Sequence, residues 1–273
     1  MDEPLRTLLE EVAAGRVAVE DALERWPQLA VAHVGEFARL DMGRLQRKGV
    51  PEVIYGPGKT PEQFLAIVQA FVRERGVALA SRVDAVRRTL VTDWAESACA
   101  RVWEGVGGAL EVSAEGYRPQ EDGGVVGILT AGTSDIPVAE EVSLVARHMG
   151  CRVTAAYDVG VAGVHRLLEP LTELARAEAD VVVVVAGMEG ALASVVAGLV
   201  SVPVVGVPVS SGYGAGGAGK AALYSMLQTC TPGLVVVNID NGVGAGAAAG
   251  LIARRVALWR EEAAQAHATP TAE

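Results

Sequence analysis

Five consecutive valines, Val181 to Val185, stand between Asp180 and the turn Ala186-Gly-Met-Glu-Gly190. β-Branched side chains crowd a helix but pack well on a pleated surface. An apolar run of strand length with no polar alternation predicts a strand covered on both faces, as in the middle of a parallel sheet. Parallel strands need long crossovers, and the flanking sequence supplies them. From residue 123 onward, apolar strand candidates at 125–130, 153–156, 181–186, 202–207 and 234–239 alternate with helical stretches at 135–149, 163–178, 190–199, 218–227 and 246–264. This alternation predicts an α/β fold, a three-layer doubly wound parallel sheet with right-handed crossovers.

Residues 1–118 read differently, as a smaller α+β domain. Leu5, Leu8, Leu9 and Val12 lie at helical spacing, Gly15 breaks the run, and Val19, Ala22, Leu23 and Trp26 resume it before Pro27. Residues 30–34 and 52–55 are short strand candidates separated by a basic helical turn at 40–49. Thr60-Pro-Glu-Gln63 spells a capping box with proline at the first helical position. It opens a helix that buries Phe64, Ile67, Val68, Phe71 and Val72 and ends at Gly76. A strand at 77–80 and a helix at 84–100 follow, and 101–118 gives no clear signal. The Gly56-Pro-Gly-Lys59 loop reads as a turn. Residues 117–124 mark the domain boundary, 123–264 the second domain, and 265–273 a frayed tail.

Composition narrows the function classes. The chain is 51% hydrophobic and only 4% aromatic, with 32 glycines, so its core is built from Val, Leu and Ala. A formal net charge of −10 with no basic block argues against nucleic-acid binding. An anionic small ligand stays open, because helix N-termini and a few local cations hold phosphate in an acidic protein. Three cysteines far apart, Cys99, Cys151 and Cys230, give neither a disulfide framework nor a metal pattern. The amino terminus lacks a signal peptide's basic and apolar regions, so a cytoplasmic protein is expected. Residues 181–209 are apolar, yet Glu189, Pro203 and Pro208 interrupt them. Strand–helix–strand fits them better than a membrane span.

Ligands of open α/β sheets bind outside the carboxyl ends of the strands, so the loops there carry the candidate chemistry. Glu189 follows the valine strand and fits either a helix N-terminal carboxylate or an active group. Ala131-Gly-Thr-Ser-Asp135-Ile-Pro137 follows the first strand. Ser134 or Asp135 can cap the next helix, and Gly132 and Thr133 let an anion approach the backbone. Tyr157-Asp158-Val-Gly160-Val-Ala-Gly163-Val-His165-Arg166 offers a proton shuttle and a phosphate fork, or an ordinary structural histidine. Gly214 to Lys220 imitates both a P-loop and a dinucleotide fingerprint. Ala221 stands where a P-loop needs Ser or Thr, and the fingerprint belongs in a first βαβ unit. A flexible glycine loop over a ligand suits it better. Cys230 reads from composition as a small buried hydrophobe or a nucleophile.

Taken together, Gly127-Ile-Leu-Thr-Ala-Gly-Thr-Ser-Asp-Ile-Pro, Tyr157-Asp-Val-Gly-Val-Ala-Gly-Val-His-Arg, Val185-Ala-Gly-Met-Glu-Gly-Ala-Leu, Val207-Pro-Val-Ser-Ser-Gly-Tyr-Gly and Val237-Asn-Ile-Asp-Asn-Gly closely resemble the LarB family. Its members are pyridinium-3,5-biscarboxylic acid mononucleotide synthases of nickel-pincer nucleotide biosynthesis. The resemblance also takes in Arg47-Lys-Gly-Val-Pro-Glu-Val-Ile-Tyr-Gly-Pro-Gly-Lys-Thr-Pro-Glu. The second half is more distantly similar to the PurE family of aminoimidazole ribonucleotide carboxylases, in its Ser134-Asp135 and His165-Arg166. It departs from them at Met188-Glu189-Gly190, where the carboxylase has a Gly-rich loop with a histidine.

The resemblance implies a flavodoxin/PurE-like fold and a reaction. Nicotinic acid adenine dinucleotide is carboxylated at pyridine C5 with CO2 as co-substrate, and its phosphoanhydride is hydrolysed to release AMP. It implies Cys230 as nucleophile, Glu189 as the base, partly buried, and His165 as a further catalytic group, with Asp158 or His165 positioning the hydrolytic water. Thr133, Ser134, Asp135, Asp158, Arg166, Gly187, Gly190, Ser211 and Gly212 would bind the nucleotide. No tightly bound cofactor is expected. Magnesium on the pyrophosphate is an option for the hydrolysis that no ligand cluster supports. A homo-oligomer between dimer and octamer is expected, with no nucleic-acid or membrane partner. A PurE-like carboxylase or mutase, and a non-catalytic nucleotide-binding module, are the competing readings.

Overall fold

The computed structural model describes residues 3–121 and 124–268, which fall into two compact units. The first takes the residues through Glu104 together with Gly108–Arg118, and the second takes Gly105–Gly107 and the residues from Pro119 onward.

The first unit starts with helices α1 (Glu3–Ala13) and α2 (Val19–Leu29). α2 continues past Pro27, where the sequence suggested an end. So close to a helix C-terminus the missing N–H costs a single intrahelical bond. Strands β1 (Val31–Val34) and β2 (Ala38–Asp41) form an antiparallel hairpin, and α3 (Arg44–Lys48) follows. β3 (Val53–Tyr55) leads to α4 (Pro61–Arg75), where the capping box is complete: Thr60 Oγ1 accepts from the Gln63 N–H, and Gln63 Oε1 accepts from the Thr60 N–H. β4 (Val77–Ser81), α5 (Ala85–Ser97, capped by Asp84), β5 (Arg101–Glu104) and β6 (Leu110–Ser113) complete it. The sheet order is β3-β4-β6-β5, parallel only between β3 and β4. Phe64, Val68, Val91, Leu110 and Val112 are buried at its core.

The second unit carries β7 (Val125–Thr130), α6 (Ile136–His148), β8 (Arg152–Ala156), α7 (Leu168–Arg176), β9 (Val181–Ala186), α8 (Ala191–Ala197), β10 (Val204–Pro208), α9 (Lys220–Leu227), β11 (Leu234–Val236) and α10 (Gly242–Ala268). All five strands are parallel, in the order β11-β10-β9-β7-β8. Counted along the unit this is the 2-1-3-4-5 order of flavodoxin-like folds, with the valine strand β9 at the centre. Every residue of β9 is buried, as it is in β7. α6 and α10 cover one face of the sheet, and α7, α8 and α9 the other.

Two helices differ from their sequence expectation. Val161–Leu167 is a 3-10 segment with a kink at Gly163, and the α-helix starts only at Leu168. α10 is longer than expected and passes residue 264 to Ala268; any frayed tail beyond that lies outside the described residues. Its glycines look like breakers, yet they let two helix backbones touch. A Cβ on Gly246 would stand 2.8 Å from the Val142 carbonyl oxygen on α6. No helix among the described residues is long and apolar enough to cross a membrane.

Candidate active site

β7 sends the chain to α6 on one face of the sheet, and β9 sends it to α8 on the other. The two strands are neighbours, so their carboxyl ends open a crevice, the topological switch point of a doubly wound sheet. A cleft of about 370 Å³ lies there. Its wall comes from four loops, those after β7 (Ala131, Gly132, Ser134, Asp135), β8 (Gly160, Val161, Ala162, Arg166), β9 (Gly187, Met188, Glu189) and β10 (Ser211, Gly212, Tyr213).

Asp135 holds three of these loops together. Its carboxylate accepts from the Gly132 N–H (2.9 Å), the Ser211 hydroxyl (2.9 Å), the Gly187 N–H and the Ser134 hydroxyl. Burial raises its pKa above the usual carboxylate value, and the hydrogen bonds offset part of that shift. The sequence reading had Ser134 or Asp135 capping the next helix. Asp135 stands at the N-cap position of α6 but makes no side-chain cap to it, turning back to its own loop and across to those after β9 and β10 instead. The loops approach so closely because two of them carry glycine. A Cβ on Gly187 would meet Ser211 Oγ at 3.0 Å, and one on Gly212 would meet the Met188 backbone nitrogen at 2.7 Å.

Arg166 is the cation of the cleft wall. It pairs with the Asp158 carboxylate at 3.0 Å. Asp158 itself is fixed by a bond from its N–H to Thr130 Oγ1 (3.0 Å). Behind it the Tyr157 hydroxyl donates to Glu140 (2.7 Å), and burial followed by that carboxylate raises the phenol pKa.

The remaining expected residues separate. Ser134, Gly187, Glu189, Ser211 and Gly212 line the cleft with Asp135 and Arg166. Glu189 is exposed on the rim, not partly buried as the base reading supposed. Thr133, His165, Asp158 and Gly190 stand outside the lining. His165 is exposed on the 3-10 segment, and Gly190 starts α8 at a φ of +66°. Cys230 is exposed and lies at the other end of the sheet. It follows α9 and precedes β11, where the Gly233 carbonyl accepts from the Val204 N–H at the start of β10. Within one chain, then, Cys230 does not face Glu189.

Sequence reasoning passed over Tyr213 and Met188. Both line the cleft and are 78% and 45% exposed, apolar surface left at the mouth of a pocket. The signal for Tyr213 was a lone aromatic among glycines. Among the described residues no group of three or more His, Cys, Asp or Glu is placed to hold a metal ion.

Comparison with known proteins agrees with this architecture. Residues 125–271 match the family model of AIR carboxylase, and residues 31–101 match that of a LarB/PurE-like N-terminal domain. An uncharacterized protein of Methanocaldococcus jannaschii is 39% identical over 93% of this chain and 98% of its own length. The N5-carboxyaminoimidazole ribonucleotide mutase of the same organism is 30% identical over 50% of this chain and 80% of its own. The mutase of Pyrococcus abyssi is 38% identical over 32% of this chain and 49% of its own.

Proposed function

The chain belongs to the LarB family, whose carboxyl-terminal domain is PurE-like, and from that membership we propose that it carboxylates nicotinic acid adenine dinucleotide and hydrolyses its phosphoanhydride. The observation that carries the proposal is the four-loop cleft, with the cation Arg166 on its wall and the free carboxylate of Glu189 on its rim. Its volume is at the small end of ligand pockets, so it takes the pyridine mononucleotide half and leaves the adenylate towards its open side. Arg166 and the backbone N–H groups of the turn after β7 bind phosphate.

The chemistry needs a thiol and a base. A pyridinium ring is electron-poor and does not attack CO2. When a thiolate adds to C4, a C–S bond forms and a ring electron pair moves to nitrogen, leaving an enamine that is nucleophilic at C5. C5 then attacks the carbon of CO2, forming the C–C bond and a carboxylate. The Glu189 carboxylate takes the C5 proton. The released pair forms the C4–C5 double bond, the C–S bond breaks, and the thiolate leaves with the ring aromatic again. In the separate hydrolysis water attacks phosphorus, the bridging P–O bond breaks and AMP departs. Cys230 supplies the thiolate in this reading. A magnesium ion would enter as part of the pyrophosphate substrate.

Incubation with the dinucleotide and bicarbonate, followed by mass spectrometry, tests the proposal. One added carboxyl group and released AMP are expected; folded protein that yields neither sinks it. The likeness to N5-carboxyaminoimidazole ribonucleotide mutases supports a second reading, a PurE-like mutase. Turnover of that ribonucleotide in a parallel assay, with none of the dinucleotide, would select it.

A further inference from the structure

The first unit has a side-chain cluster of its own at one end of its sheet. Strands β3 and β4 run parallel, and the loops after them leave at the same edge, with Tyr55 beside Ser81. Glycine lets these loops nearly merge. The Gly56 N–H donates to the Ser81 carbonyl at 2.9 Å, and a Cβ on Gly56 would stand 2.7 Å from the Arg82 carbonyl oxygen. The connection between β5 and β6 closes in from the same edge. There the Val83 N–H donates to the Gly108 carbonyl at 3.0 Å, and a Cβ on Gly108 would stand 2.6 Å from the Val83 nitrogen. Three loops meet at the edge where open α/β sheets hold their ligands.

Side chains gather there in one line of contacts. Arg82 stands at φ +54°, a conformation that residues other than glycine seldom take. Its guanidinium lies over the Tyr55 ring, 5.7 Å from the centroid, and Tyr55 is still 49% exposed. Lys59 Nζ donates to the Tyr55 carbonyl at 2.9 Å. Arg87 donates to the Lys59 carbonyl and to Asp84, and its Nε is buried with no hydrogen-bond partner among the described residues. A buried donor left without an acceptor calls for a water or a ligand. Lys59, Arg82 and Arg87 thus line up beside one aromatic ring, and the line takes in a single carboxylate, Asp84. That is a local excess of cations in a chain of net charge −10. Thr60 and Asp84 already cap α4 and α5, so side chains rather than helix ends would hold a ligand.

This combination selects by chemistry. Lysine and arginine recognise phosphate, and a half-open ring braced by a guanidinium is a stacking surface for a flat base. A bare anion would leave Tyr55 unused, and an apolar partner would leave the cations unpaired. We propose that the first unit carries a binding site of its own for a nucleoside monophosphate, with the base stacked on Tyr55 and the phosphate held by Lys59 and Arg82. A planar guanidinium stacks through its face and donates along its edge, so Arg82 serves both ends of the ligand. Arg87 fixes the Lys59 backbone beneath them. The site uses no residue of the four-loop cleft and does not rest on the carboxylase reading.

Equilibrium dialysis of the full chain with AMP tests it, in an Arg166→Ala background that weakens binding in the cleft. About one AMP per chain should still bind. Adding Tyr55→Ala should weaken it about 5- to 150-fold, the range for one lost base stack, whereas Tyr55→Phe should keep it. Arg82→Ala should weaken it about tenfold or more. Arg82→Lys should recover only part, because an ammonium keeps the charge without the planar face. Tyr55 and Arg82 are both exposed, so these variants should fold. Inorganic phosphate should compete at least about tenfold more weakly than AMP, since it has no base to stack. Photolysis with 8-azidoadenosine monophosphate should label a peptide containing Tyr55 or Arg82. The proposal is overturned by an Arg166→Ala chain that binds no AMP, or by binding indifferent to Tyr55→Ala and Arg82→Ala. Phosphate competing as well as AMP, or label confined to the second unit, would overturn it equally. A wild type without carboxylase activity bears on the cleft and leaves these readouts unchanged.

Discussion

Asp135 does more for the site than a residue that merely touches a ligand, because four donors from three loops end on one buried carboxylate. Burial raises its folded pKa above the unfolded value. An acid shifted that way contributes stability that is fully present below its ordinary value, near 3.9, and is lost as pH rises through the higher folded value. Asp135→Asn should remove that decline in denaturant titrations across acidic pH. The amide still accepts from a backbone N–H and can donate to Ser211, so the cost should stay within about 1.5 kcal/mol. Asp135→Ala leaves the donors unpaired and should cost roughly 1–3 kcal/mol. Glu189 contrasts with it. It is exposed, so Glu189→Gln should leave stability within about 0.5 kcal/mol while carboxylation falls about 10²–10⁴-fold. Nucleotide affinity by calorimetry should persist; a variant that keeps its rate would remove Glu189 as the base. Both carboxylates were legible in the sequence because each follows a valine- or leucine-rich strand. Cys230, expected in one site with Glu189, was misplaced because the same rule was not applied in reverse. A residue that precedes a parallel strand belongs to the opposite edge from one that follows it, however near the two look in a list of motifs.

Among the elements, those with self-contained signals could be read and those that depend on partners could not. The valine strand β9 and the capped helix α4 need only their own residues. Thr60→Ala breaks both bonds of the capping box and should cost about 1 kcal/mol, read as a lower denaturation midpoint with unchanged slope. β2, β5 and β6 were missed because each is defined by cross-strand pairing, as in Val102↔Val112, which no local pattern announces. The start of α10 was missed because glycine is a poor helix former in isolation, and only packing against α6 shows what the glycines admit. The same physics governs the site loops. Gly212→Ala would drive a methyl group into the Met188 backbone nitrogen, and such overpacking costs roughly 1–3 kcal/mol. The loops after β9 and β10 should part, raising KM for the dinucleotide while thermal stability of the first unit is unchanged. Unaltered KM would show that the loop after β10 can shift freely.

At the scale of the whole second unit, α10 is the last element to be laid down, and it runs the length of the sheet. It begins at the carboxyl edge beside Asn241 and reaches the amino edge, where Arg260 meets Asp180 at 2.6 Å. Asp180 is the residue before the valine strand, and its side chain is fully buried. Its Oδ2 accepts from the Val125 N–H at 2.8 Å, so one carboxylate joins the first strand of the sheet, the central strand and the final helix. Its other oxygen, Oδ1, has the guanidinium as an ionic neighbour but no aligned hydrogen bond. A buried carboxylate that loses its cation is strongly destabilising, up to about 3–5 kcal/mol when both partners are buried. Arg260 is half exposed, and solvent screening lowers the expected loss for Arg260→Ala to roughly 1–2 kcal/mol. Asp180→Asn keeps an acceptor for Val125 and removes the charge, so the double variant should be more stable than Arg260→Ala alone. A double-mutant cycle by urea unfolding gives the coupling directly. Coupling near zero would mean that α10 is held by its glycine-mediated packing on α6 alone, with the ion pair adding nothing to the closure of the sheet.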